Sequence, residues 1–103
     1  MAVLERDDAL RVLGDVPEGK AFWLCDNTNI KSVPELYERL KDMPKEVFES
    51  HVNNEKNDFA AWINDVQQDE KLAKELMNAK KERAQFRKIF RKRISWLKKK
   101  ARV

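Results

Sequence analysis

Residues 80–103 read KKERAQFRKIFRKRISWLKKKARV, and the way cations alternate there with Phe, Ile and Trp decides how the rest of the chain is understood. At 100° per residue, Phe86, Ile89, Phe90, Ile94, Trp96 and Leu97 share one arc of about 160°, which Leu72, Leu76 and Ala79 continue upstream. Lys80, Lys81, Arg87, Lys88, Arg91, Lys92, Lys98, Lys99 and Arg102 occupy the opposite side, Arg83 adds to the same charge, and only Arg93 and Lys100 intrude on the apolar arc. No Gly or Pro occurs from Glu70 onward. The pattern therefore predicts one last helix of about thirty residues, roughly 45 Å long. Residues 1–79 are expected to form a compact domain, with 80–103 as a basic amphipathic extension of that helix.

The surrounding composition fits a helical protein. A chain of 103 residues makes one domain with a modest core. The charged fraction of 39%, well above the usual quarter, calls for a heavily solvated surface. Two Gly and three Pro leave little room for irregular stretches. Charge is distributed unevenly: residues 80–103 hold twelve Lys or Arg and one Glu, a net +11, whereas the preceding 79 residues carry a net −7. Such asymmetry implies an acidic partner for the basic end, or folding of that end onto the acidic body.

Upstream, Leu4, Ala9, Leu10 and Leu13 predict a short first helix that Gly14 stops. AFWLCD, the NTN turn and IKS predict a small hairpin pairing 21–25 with 29–31. Ser32 followed three residues later by Glu35 has the form of a capping box, and Pro34 sits acceptably in the first turn; Val33, Leu36, Tyr37 and Leu40 form the expected buried face. A helix restarting at Pro44 turns Val47, Phe48 and His51 inward. After NNEK, Asn57 or Asp58 caps a helix whose Phe59, Trp62, Ile63 and Val66 recur at i, i+3, i+4 and i+7, and Asp69 caps again. The expected fold is mostly α, with four to five helices, a small β-hairpin over about 21–31 and a long basic C-terminal helix.

The middle of the chain, about 20–76, resembles a small helical domain of unknown function found mainly in archaeal proteins. The likeness rests on Ile30, Ser32, Glu35 and Leu36, on Phe48, His51, Val52 and Asn53 of FESHVN, on Lys56, Asn57, Asp58, Phe59, Trp62, Ile63, Asp65 and Val66 of KNDFAAWINDV, and on Asp69, Leu72 and Ala73. The pattern has a glycine before the aspartate, where this chain has QQD. The resemblance implies a helical fold and carries no activity with it.

His51, Asn53, Asn57, Asp58 and Asp65 around Trp62 form the densest polar group. A functional reading makes His51 a general base steered by an aspartate. The architectural reading is favoured: it makes Asn57 and Asp58 caps and lets His51 satisfy a neighbouring backbone group. No nucleophile and oxyanion donor accompany the histidine, so the chain is not expected to be an enzyme. One Cys and one His fall short of a zinc site, and neither a metal nor a cofactor is expected. Cys25, in an apolar run, reads as a small buried side chain. There is no phosphate-binding glycine loop, no nucleophile elbow and no HExxH.

A lone cysteine, an acidic N-terminal stretch and the lack of an eighteen-residue apolar run lead to the expectation of a cytoplasmic protein without a signal peptide. Three partners suit the basic helix. RNA or a ribonucleoprotein is favoured, taking the cationic side, where Arg suits phosphate. A protein partner or a second copy of the chain would use Phe86, Ile89, Phe90, Ile94 and Leu97 as a seam. An anionic membrane surface would use both sides.

Overall fold

In a computed structural model, which describes residues 6–102, the elements follow in the order α1 (Arg6–Leu13), β1 (Phe22–Trp23), β2 (Asn29–Ile30), α2 (Val33–Asp42), α3 (Lys45–His51), α4 (Asp58–Trp62), α5 (Glu70–Asn78) and α6 (Arg83–Ala101). The protein is mostly helical, with a two-stranded antiparallel hairpin and a long C-terminal helix. Among the described residues there are six α-helices, against the four to five expected.

Local chemistry sets most of the helix starts. The Ser32 hydroxyl accepts from the Glu35 N–H at 3.1 Å, while the Glu35 carboxylate reaches the N–H of Lys31, at 2.6 Å, rather than that of Ser32. Pro44 leads into α3, Asn57 Oδ1 accepts from Ala60 at 3.1 Å, and Asp69 Oδ1 accepts from Leu72 at 3.2 Å. Each bond satisfies an N–H that a helix start leaves without a partner.

The hairpin pairs Phe22 with Ile30 and Trp23 with Asn29, and closes through a turn in which Asn27 adopts φ 69° and donates to Leu24 O. So short a ribbon needs a cover. Phe22 supplies it by packing edge-on against His51 and Trp62 and tilted against Phe59, with ring centroids 5.2–6.0 Å apart. Strand alternation turns Phe22 and Leu24 inward and Trp23 and Cys25 outward. Cys25 is thus exposed, contrary to the buried role expected of it.

Two further helices depart from the simple periodic reading. In α1, Ala9 and Val12 are fully buried and Leu13 half-buried, while Leu10 faces outward; Leu4 lies outside the described residues. The small Ala9 and Val12 side chains let α1 lie close along α6. Beyond Trp62 the chain widens into a π-helical turn over Ile63–Gln67. That widening shifts the register, so Gln67 is buried and Val66, expected in the core, is only half-covered. The turn ends with Gln68 at φ 58° and a hydrogen bond from Asp69 N–H to Ile63 O at 3.2 Å. Gln68 therefore stands in the left-handed region, a placement that costs a non-glycine residue about 1 kcal/mol.

The C-terminal region corrects the largest expectation. No continuous rod runs from Glu70: α5 ends at Asn78, Ala79 is extended, and α6 starts anew at Arg83 and returns along α1, α2 and α5. Phe86, Phe90, Leu97 and Ala101 are 0% exposed, so α6 belongs to the same core as the rest. The boundary drawn at residues 79/80 separates two helices, not a domain from an extension. Magnitudes explain the fold-back. Breaking a helix forfeits a few hydrogen bonds, each with a net contribution of about 1 kcal/mol, whereas burying each Phe or Leu contributes about 1.5–3 kcal/mol. The break falls at KKER, where the apolar stripe has no member between Ala79 and Phe86. Arg83 secures the return by donating to Met43 O, and Arg6 Nε donates to Ala101 O at 3.0 Å.

Candidate nucleic-acid interface

α6 buries one side and leaves the other charged. Lys88, Arg91, Lys92, Lys98 and Lys99 are exposed along it, Arg87 is half-buried, and Arg102 caps its C-terminal end at φ 63°. Lys80 and Lys81 precede α6, in the connector, so they adjoin the charged side without sharing its helical register. None of the cations from Lys80 to Arg102 other than Arg93 forms an ion pair with a carboxylate of the described residues. Among the described residues, the acidic body therefore places no carboxylate in an ion pair with this surface. The intervals 88–92 and 88–91 place like charges one turn apart, which costs a few tenths of a kcal/mol per pair unless an anion intervenes.

At the α2–α6 boundary, Tyr37, Ala84, Arg87, Lys88 and Arg91 line a cleft of about 180 Å³. The Arg87 guanidinium lies over the Tyr37 ring, 5.0 Å from its centroid, and Arg87 Nε is buried with no hydrogen-bond partner. Tyr37, assigned from the sequence to the buried face of α2, is only half-covered, and this arginine supplies part of its cover.

Arg93, which looked like an intruder on the apolar arc, has a definite partner. Its Nε and a terminal nitrogen donate to the two oxygens of Asp69 at 2.8 and 2.7 Å, with both side chains nearly inaccessible. Asp69 thus caps α5 and anchors α6 at once. The Arg93 guanidinium also lies over the Trp96 ring, 4.5 Å from its centroid, and Trp96 is 42% exposed. The sequence assigned Asp69 a cap alone. A cation inside an apolar arc was the available sign that a buried carboxylate had to face it.

Of the five residues offered as a seam for a second copy, Phe86, Phe90, Ile94 and Leu97 are buried within the chain and Ile89 is half-buried. The first four belong to the chain's own core, and Ile89 packs against its edge.

The polar group around Trp62 resolves into separate structural tasks. His51 Nε2 accepts from the Cys25 N–H at 3.0 Å while Nδ1 faces Asp58 Oδ2 at 3.0 Å, which fixes the proton on Nδ1 and leaves neither nitrogen free to act as a base. Asn57 also donates to Leu76 O, Trp62 Nε1 donates to Lys20 O, and Asn53 bonds Glu49 O and the Glu55 N–H. Asp65 stands apart: it accepts from Asn64 and lines an open groove with Ala60, Ala61, Lys74 and Met77. Among the described residues no three of His, Cys, Asp or Glu gather as a metal site, and no helix is long and apolar enough to cross a membrane.

Burial pushes the Asp58 carboxyl up, but hydrogen bonds from His51 and Lys56 and the Lys56 charge outweigh it and hold the group below its ordinary value of 3.8. A depressed carboxylate contributes stability that is complete above that value and lost as pH falls through the folded-state value. Wild type is therefore expected to exceed Asp58→Asn in stability at pH 7, with the difference shrinking below pH 3.8. Urea melts of both proteins across the acid range check this, and a gap that widens on acidification contradicts it.

Comparisons with family models, curated proteins and solved structures returned no match. The assignment of roles accordingly rests on the geometry of this chain.

Proposed function

We propose that this protein is a non-enzymatic RNA-binding module, acting on RNA or within a ribonucleoprotein through the cationic side of α6. The observation that carries this reading is a helix fixed to the core whose Arg87, Lys88, Arg91, Lys92, Lys98 and Lys99 have no carboxylate partner among the described residues. A polyanion relieves their mutual repulsion and releases counterions, and a preformed helix spends little conformational entropy on binding. The cleft beside Tyr37 has room for a phosphate, and guanidinium groups suit bidentate phosphate contact. Self-association or membrane insertion through the apolar stripe is disfavoured, because the core already occupies most of that stripe.

Titrating a labelled unstructured RNA at several salt concentrations tests the proposal. Affinity is expected to fall linearly with salt on logarithmic axes. Lys88→Ala and Arg91→Ala should each weaken binding and reduce the slope by about 0.7. Affinity that stays constant between low and physiological salt would exclude phosphate neutralisation as the basis of binding.

A further inference from the structure

Trp96 is the one large apolar side chain of α6 that its core leaves substantially exposed, at 42%. Its position is set on two levels. Asp69 holds Arg93 through two short, buried hydrogen bonds, and the Arg93 guanidinium in turn lies against the indole, 4.5 Å from the ring centroid. A ring supported in this way has little freedom left to lose when something stacks on it. Its neighbours on the helix surface, at i−4, i+3 and i+4, are Lys92, Lys99 and Lys100, two of them exposed and the third half-buried.

A π-face rimmed by cations matches one ligand chemistry closely. An apolar protein surface would have to desolvate the lysines, and an anionic membrane would offer headgroups to them but receive a single ring, because Phe86, Phe90, Ile94 and Leu97 point into the core. Single-stranded nucleic acid supplies both requirements at the correct scale: an unstacked base for the indole and phosphates on either side of it. A duplex supplies only the phosphates, since its bases already stack on one another.

Resting on the RNA-binding reading above, we infer that Trp96 is a stacking platform for an unpaired base, with Lys92 and Lys99 contacting the flanking phosphates. α6 thereby prefers single strands to duplexes. The platform and the Tyr37–Arg87 cleft lie on opposite edges of the charged side, so a strand crossing α6 meets stacking at one edge and phosphate contact at the other.

The test compares wild type, Trp96→Ala and Trp96→Phe for binding an oligouridine and an RNA duplex of the same strand length, at one salt concentration. Trp96→Ala is expected to weaken oligouridine binding by about fivefold to 150-fold while changing duplex binding less than about twofold, and Trp96→Phe should recover most of the loss. Equal losses on both RNAs, or no loss on oligouridine, overturn the platform while leaving RNA binding in place. Wild type that binds neither RNA overturns the RNA-binding reading itself, and the platform with it. Circular dichroism of both variants verifies that a surface substitution has left the fold intact.

Discussion

Arg93→Ala is expected to destabilise the protein by about 3–5 kcal/mol, because it strands the Asp69 carboxylate in the core. The Asp69 side chain is 1% accessible, and both of its oxygens face the arginine at hydrogen-bond distance. Removing the guanidinium leaves one of those oxygens with no remaining partner and the other with only the Leu72 N–H. Domains of this size are stable by about 5–15 kcal/mol, so such a loss removes a large share of the total. Replacing both members with apolar residues, Asp69→Leu with Arg93→Met, should recover most of the loss. It abolishes the buried charge and sacrifices only the α5 cap, worth about 1 kcal/mol. Urea denaturation followed by circular dichroism distinguishes these outcomes. If Arg93→Ala stays within about 1 kcal/mol of wild type, the pair behaves like a surface ion pair, and α6 is not anchored by it.

Phe86→Ala should rank beside it, at about 3–5 kcal/mol. The ring is 0% exposed and packs edge-on against Phe48 at 5.2 Å and Phe59 at 6.4 Å, joining α6 to α3 and α4. Its loss opens a cavity where three helices meet, so the whole domain should unfold earlier and in one transition. Hydrogen exchange resolved along the chain makes the measurement: protection is expected to fall in α2, α4 and α5 as well as α6. Reduced protection confined to residues 83–101 would mean that the basic helix is an appendage after all.

Legibility in the sequence followed the range of the interaction. Ser32 and Asp69 are readable as caps, and Asn57 as one of two candidates with Asp58, because each bonds an N–H three residues away. The hairpin and the inward turn of Phe48 and His51 depended on similarly local patterns. What escaped depended on distant partners. The break after Asn78 has no Gly or Pro to announce it; it exists because Phe86, Phe90 and Leu97 gain more against α1 and α2 than a straight helix could offer. Cys25 faces outward because strand alternation buries Leu24, and Val66 cedes its place to Gln67 through a π-helical turn that an ideal helical period does not contain. In the candidate interface, the cationic residues were evident from charge alone. Tyr37 beneath Arg87, and the succession Asp69, Arg93, Trp96, required coordinates, since each links side chains from separate helices or gains its meaning from one.

The packing of α1 along α6 bears on how the chain is made. Synthesis is vectorial, so the first of the described helices emerges from the ribosome long before the last, and for that interval Ala9 and Val12 lack the α6 surface that α1 lies along. Phe48 and Phe59 likewise wait for Phe86. A nascent chain halted within α5 would display these side chains to chaperones and proteases. Stalled translation is therefore expected to yield a degradable intermediate, not a smaller folded protein.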